Sequence, residues 1–317
     1  MINNKGNLED HIKVIEGKTE AAYQTILYIA KDENFKGIKM ETIWKLIETC
    51  ILPILLYGAE VRETTKKEKE KLQTIMNNIL KRTLKLPQST PSDAVLIEAG
   101  FRDIQTLTNI KKLIYILRIE SFEDNRREKI IIGKRTTWTG KKADLVARWE
   151  LEDDLKKDKS IGWKKRQIKR AAGEELRKEI EERNIHTTKN KFYLDNKEEW
   201  QIGNRAPYLQ NLSRKEASTI IKARTRMLRV KKNNIDGKQP NNTCRACGKE
   251  EETQEHVLEE CPALITDEGS KITPAQIFNE DADHLKTLAE KLDTRIKELE
   301  NTINPVSGQG QGNSRGK

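Results

Sequence analysis

Residues 244–262 read CRACGKEEETQEHVLEECP. Cys244 and Cys247, two residues apart, can turn both thiolates toward one ion across a tight turn, and Gly248 lets the backbone leave it. His256 lies in EHVLEE, a short helix by its pattern, and offers an imidazole nitrogen. Cys261 supplies a fourth ligand. Five residues along an ideal α-helix place side chains about 140° apart. His256 and Cys261 therefore face one ion only if the helix ends between them. Pro262 favours that ending, because it drives Cys261 out of the α region. Three thiolates and one imidazole fill a tetrahedral zinc sphere and leave no open position for chemistry. The pattern predicts one structural zinc per chain, held by Cys244, Cys247, His256 and Cys261. Cys50 falls in an apolar stretch and reads as a small core residue.

Immediately upstream the chain turns strongly basic. Between Arg205 and Lys232 nine Lys or Arg stand against one acid, Glu216. Ser213 is a candidate N-cap, and the spacing predicts a helix from there to about Val230, with Ile220, Ile221, Met227, Leu228 and Val230 facing a core. Lys222, Arg224, Arg226, Arg229, Lys231 and Lys232 then form a stripe of one sign. Guanidinium groups bind phosphate bidentately and stack on bases. The stripe is read as the contact with RNA or DNA, against the plainer alternative of a solvated charged face. A second basic cluster, Lys164, Lys165, Arg166, Lys169 and Arg170, is weaker, because Glu174 and Glu175 follow it. Trp163, Tyr193 and Trp200 fit either base stacking or core packing.

Further out the chain is mainly α. Residues 8–32 repeat apolar side chains at helical spacing (Ile12, Ile15, Ala22, Ile26, Ile29). Residues 40–61 form a more apolar segment that Pro53 should kink or split. Thr64 or Thr65 caps a third helix, with Glu68 as a capping-box partner, running to Leu84 before Pro87. Residues 92–99 make a short helix opened by Pro91 and closed by Gly100, and 103–122 a longer one. The expected organisation is a helical bundle over 1–122 and a charged, mobile helical connector over 123–204 with few apolar anchors. A basic helix plus zinc knuckle covers 205–264. A C-terminal helix follows over 265–302, centred on an amphipathic stretch at 281–302 that could take a protein partner, and then a disordered tail, 303–317.

The 317 residues carry 60 Lys or Arg against 50 Asp or Glu, a formal charge of +10, which favours anionic partners. The N-terminus has no signal-peptide pattern, and the longest apolar run, near 50–59, is too short to span a bilayer. Clustered cysteines suggest metal rather than disulfides, so an intracellular location, nuclear or cytoplasmic, is expected without membrane insertion. No Walker loop, nucleophile elbow or His-Glu-x-x-His is present. Asp153–Asp154 sits in a charged helical setting and reads as solvated surface. His11, His186 and His284 have no nucleophile beside them in sequence. No catalytic residue is expected.

Three segments, in order, resemble the region downstream of the polymerase core in LINE-like, non-long-terminal-repeat retrotransposon reverse transcriptases. The first holds Pro53, Tyr57, Gly58 and Glu60. The second holds Pro87, Thr90, Pro91, Glu98 and Gly100. The third is the basic helix leading into the Cys-Cys-His-Cys knuckle. The resemblance covers about residues 8–122 and 213–264. Arg62 departs from it, since the family often has Trp there. It implies a thumb-like bundle that grips a template–primer duplex, and a knuckle region that holds element RNA or target DNA, with Lys222, Arg224, Arg226 and Arg229 in contact. It places the catalytic palm before residue 1, and the stretch after Cys261 is too short for the nuclease of some relatives. The chain alone is therefore expected neither to polymerise nor to cut DNA, and to act beside an upstream palm if part of a longer protein. A zinc-stapled protein-interaction scaffold is the alternative.

Overall fold

The computed structural model describes residues 8–31, 40–62, 64–133, 136–184, 188–197, 200, 202–233 and 241–301. The chain divides into two compact units, Met1–Arg214 and Lys215–Lys317. The elements are α-helical throughout, apart from short π and 3-10 turns and one isolated bridge. In order they are α1 (Leu8–Lys31), α2 (Met40–Leu46), α3 (Leu52–Leu55), α4 (Lys66–Thr83), α5 (Ser92–Ala99), α6 (Ile104–Glu120) and α7 (Arg127–Gly133). Then come α8 (Thr136–Arg148), α9 (Glu152–Lys156), α10 (Ile161–Asn184), α11 (Thr188–Asn196), α12 (Arg214–Arg224), α13 (Pro274–Ile277) and α14 (Ala282–Asn301).

The apolar segment after Met40 is split as its proline requires. A π turn, Ile47–Ile51, joins α2 to α3. In a regular α-helix the Pro53 ring would clash with the carbonyl four residues before it, and the wider turn falls where that strain would arise. Ile47, Ile51 and Leu55 still reach the core. The extra residue in the turn rotates Cys50 out to solvent, so the expected core cysteine is exposed. Thr65 caps α4 with the full capping box. Its hydroxyl accepts from the Glu68 N–H at 3.3 Å, and the Glu68 carboxylate accepts from the Thr65 N–H at 2.6 Å.

Gly100 ends α5 with φ +69°, and a Cβ there would lie 2.6 Å from the Arg205 backbone nitrogen. It is needed both for its left-handed turn and for a close chain crossing. Glu98, two residues before it, is wholly buried and binds two tyrosines. The Tyr193 hydroxyl donates to it at 2.9 Å and the Tyr208 hydroxyl at 2.8 Å, with Lys197 Nζ 3.6 Å away. The motif positions Glu98 and Gly100 thus join α5 to the segment 193–208. Glu98→Gln removes a charge beside the buried Lys197 ammonium. We expect a loss of about 2 kcal/mol, or roughly 4–8 °C in Tm for a unit this size. Tryptophan fluorescence can follow it, because all five tryptophans lie before residue 215.

The stretch 123–204 is not a loose connector. Leu145, Trp149, Leu151, Ile168 and Ala172 are buried against Ile110 and Leu113 of α6, and Trp138 packs with Ile116 and Ile119. Burial of each large apolar side chain stabilises by roughly 1.5–3 kcal/mol, so a few anchors on α8 and α10 suffice to dock these charged helices. Tyr193 and Trp200 are core residues, while Trp163 stays half-buried under Lys157. Asp153 is exposed as expected, and Asp154 pairs with Lys157 at 2.6 Å. His186 and the tail 303–317 lie outside the described residues.

In the second unit α12 stops at Arg224, six residues before the expected end. Thr225 donates to the Ile221 carbonyl, Arg226 turns left-handed at φ +55°, and its N–H bonds the Ala223 carbonyl at 3.2 Å. The Met227 N–H then bonds the Lys222 carbonyl at 2.7 Å. This is a Schellman termination with arginine where glycine is usual. The stripe expected along α14 is real: Leu285, Leu288, Leu292 and Leu299 are buried. It is covered within the chain, so the apolar face expected to meet a protein partner is already in use.

Candidate metal centre

The four ligands predicted from the sequence come together in the second unit. Their sulfur and nitrogen atoms all lie within 4.8 Å of one another. Cys244 Sγ is 3.8 Å from Cys261 Sγ, and Cys247 Sγ is 3.4 Å from His256 Nε2. A tetrahedral zinc with Zn–S near 2.3 Å and Zn–N near 2.0–2.1 Å has S···S edges of about 3.75 Å and S···N edges of about 3.5 Å. These two edges match that geometry, and the whole set is close enough to hold one metal ion.

Local folding explains the geometry. A minimal antiparallel pairing, bridged at Thr243–Glu251, carries the first two cysteines. The Cys244 N–H donates to the Glu250 carbonyl at 2.6 Å, and the Gly248 N–H to the Cys244 carbonyl at 2.9 Å, with Gly248 at φ +65°. The second pair is set by a π turn, His256–Glu260, closed by the Cys261 N–H on the His256 carbonyl at 2.7 Å. An i to i+5 bond puts residues five apart over one another, which a regular α-turn cannot do. The helix does end where Pro262 requires, with Cys261 extended at ψ 114°. What brings His256 and Cys261 together is the widened turn as well as the stop.

Hydrogen bonding prepares the thiols unequally. The backbone N–H of Glu250, followed by that of Lys249 and the His256 ring, holds the Cys247 thiol down at about 6. Burial pushes the Cys261 thiol up to about 11. A dication in contact deprotonates a coordinating thiol outright. If His256 Nε2 ligates a metal, Nδ1 must carry the ring proton, and the Glu250 carboxylate stands 3.5 Å from that nitrogen, near enough to close onto it but not hydrogen-bonded to it here. A carboxylate behind a ligating imidazole orients the ring and raises its basicity. Glu250→Ala should therefore weaken metal affinity about 10- to 100-fold, read by competition with a chromophoric chelator.

Sequence reading missed the groups that bind this cluster into its unit. Glu252 is wholly buried. It accepts from the Lys231 N–H at 2.7 Å, the Arg245 N–H at 2.8 Å and the Arg245 guanidinium at 2.6 Å. Burial alone would raise its pKa, but the bonds from Arg245 and the two backbone N–H groups outweigh it and hold the carboxyl below its ordinary value. In the run Glu250-Glu251-Glu252 all three look solvated, and only the short pairing turns the last inward. Gln254 donates to the Ala223 carbonyl at 2.8 Å, tying α12 to the cluster. Arg295, buried on α14, donates to the carbonyls of Val257 at 3.1 Å and Ser270 at 2.9 Å.

The basic stripe is placed unevenly. Arg224 is 0% exposed. It donates to the carbonyls of Ile277 at 3.0 Å and Asn279 at 2.8 Å, meets Glu280 at 3.1 Å and lies over the Phe278 ring. Its guanidinium has no surface to offer a phosphate, so it is not the nucleic-acid contact that the sequence suggests. Arg226 pairs with Glu255 at 2.5 Å, and Lys231 donates to the Thr243 carbonyl at 2.8 Å. Lys222 is half-buried. Arg229 and Lys232 are the open members, their side chains 63% and 55% exposed, with Glu300 at 3.4 Å and Glu251 at 2.8 Å.

The fold and site define a class: a mainly helical protein whose C-terminal unit gathers three cysteines and one histidine close enough to hold a metal ion. No helix among the described residues is long and apolar enough to cross a membrane. Compared with known proteins, the chain matches no family model, no curated protein and no solved structure.

Proposed function

We propose that this chain is a non-catalytic nucleic-acid-binding portion of a LINE-like reverse transcriptase, with a structural zinc at Cys244, Cys247, His256 and Cys261. The observation that carries the reading is the coincidence of a close Cys3His cluster with cations at its edge, Lys231 donating its ammonium to the Thr243 carbonyl and Lys232 paired with Glu251. Sulfur-rich four-coordinate sites favour zinc over harder ions. Exposed ion pairs such as Arg229–Glu300 and Lys232–Glu251 contribute at most about 1 kcal/mol, so a phosphate can replace the carboxylate. The proposed contacts are Lys222, Arg226, Arg229, Lys231 and Lys232.

The same ion pairs favour a second reading. A stripe matched by Glu255, Glu300 and Glu251 is also what a zinc-stapled interaction scaffold needs for its own folding. Fluorescence anisotropy of the zinc-loaded protein with structured RNA and with duplex DNA, across a salt series, separates the two. Nucleic-acid binding gives a steep salt slope, and R229A/K232A reduces it by about one unit for each phosphate left without its cation. No binding at low salt sinks the first reading and leaves the scaffold.

A further inference from the structure

The second basic cluster of the sequence gains a structural meaning in the first unit. On α10, Arg166, Lys169, Arg170, Gly173 and Arg177 recur at spacings of three and four and share one face. That face lines an open cleft of about 460 Å³, whose opposite wall is Ile202 to Asn204 and whose floor includes Arg102. Arg102 is unlike its neighbours. Its Nη2 donates to the carbonyls of Lys169 at 3.1 Å and Ile202 at 3.3 Å, while its Nε is buried with no hydrogen-bond partner. Desolvation lowers its pKa, and among the described residues no carboxylate pairs with it.

The backbone has been cleared around this group. Gly203, at φ +90°, lies against the guanidinium, where a Cβ would come within 2.3 Å of Nη1 and 2.4 Å of Cζ. Gly173 is buried, and a Cβ there would lie 3.2 Å from the Ile202 carbonyl and 3.6 Å from Arg102 Nη2. Two glycines therefore admit a cation between a helix and a loop with carbonyl partners only. A desolvated guanidinium without a counter-ion is costly. The one acid in the cleft, Glu174, is exposed and stands 3.9 Å from Arg170, and Arg177 is engaged by Glu181 and the Trp200 ring. The cleft holds five cations against that single carboxylate.

We propose that this cleft is an oxyanion site of the phosphate class, with the half-buried Arg102 as its anchor and Arg166, Lys169 and Arg170 as its mouth. A guanidinium fork presents paired N–H donors to a phosphate, and the lysine adds a point charge. The site is independent of the zinc cluster and does not rest on the reading proposed for it. The phosphate has two sources, the backbone of a nucleic acid or a small phosphorylated ligand.

The test uses the full zinc-loaded chain, with inorganic phosphate, pyrophosphate and a labelled single-stranded oligonucleotide as probes. Binding is read by calorimetry for the two ions and by anisotropy for the oligonucleotide. The variants are R166Q/K169Q, whose side chains are exposed and leave the fold alone, and R102Q, checked by circular dichroism. Loss of the charged bonds should weaken binding about tenfold or more in each. Oligonucleotide binding that falls in both variants, with the free ions competing only weakly, assigns the cleft to a nucleic-acid backbone. Phosphate or pyrophosphate binding that falls in both, with oligonucleotide affinity unchanged, assigns it to a small ligand. R229A/K232A should leave phosphate and pyrophosphate binding unchanged, and any loss of oligonucleotide binding it causes should add to that of R166Q/K169Q, which keeps this site separate from the stripe beside the zinc. If no probe binds the wild type, or if R166Q/K169Q binds every probe as the wild type does, the proposal is overturned.

Discussion

Cys261→Ser is expected to abolish stoichiometric metal and to unfold the segment around residues 241–265. Cys261 is wholly buried, its sulfur 3.8 Å from that of Cys244, and its N–H closes the π turn that carries His256. Removing it takes away a ligand and leaves three others gathered with no ion to neutralise them. Apart from the metal the segment is held by one bridge, a few turns, the side chains of Val257 and Leu258, and the polar bonds of Glu252, Gln254 and Arg295. Structural zinc in such modules contributes about 10–16 kcal/mol of apparent binding free energy, which is also folding free energy. The wild type should carry one zinc per chain by elemental analysis, and the variant none. Hydrogen exchange should show loss of protection across 241–265, with the Val257 and Ser270 carbonyls released from Arg295. A chelator added to the wild type should reproduce that pattern and spare residues before 215. Stoichiometric zinc in the Cys261→Ser protein would contradict the assignment of the fourth ligand.

The parts of this molecule that were legible in the sequence are those whose cause is local. Cys244, Cys247, His256 and Cys261 announce themselves by spacing, because a metal site needs its ligands within one tight turn and one short helix. Thr65 with Glu68, and Gly100 after α5, are signals within four residues of the event they control. What escaped has a distant or unusual cause. Arg226 ends α12 in a left-handed conformation that costs roughly 1–2 kcal/mol in a residue other than glycine. Its ion pair with Glu255, 29 positions on, and the burial of Met227 offset that cost. The anchors of α8 and α10 are single apolar residues among charges, and their partners lie on α6. A π turn has no sequence mark, so ideal α geometry gives neither the exposed face of Cys50 nor the way His256 meets Cys261.

The same distinction governs what Arg224→Ala should do. In the sequence this arginine stands in a run of like charges and reads as a phosphate contact. In the fold its partners come from residues more than fifty positions later, the carbonyls of Ile277 and Asn279 and the carboxylate of Glu280. Truncation leaves those carbonyls unpaired and opens a cavity beside Phe278. Breaking a buried pair by removing one partner costs about 3–5 kcal/mol. Arg224→Lys keeps the charge but cannot bridge three acceptors with a planar fork, so it should recover only part of the loss. The five tryptophans lie before residue 215, so their fluorescence does not report this unit. Hydrogen exchange across 215–301 should instead lose protection by that amount. R229A/K232A, by contrast, should change stability by less than about 0.5 kcal/mol, because both side chains are exposed. A fall in nucleic-acid affinity in R229A/K232A is therefore evidence of contact, whereas the same fall in Arg224→Ala follows from the loss of the unit that presents the surface. Exchange protection unchanged by Arg224→Ala would show that the buried guanidinium does not hold α12 to the segment 277–280.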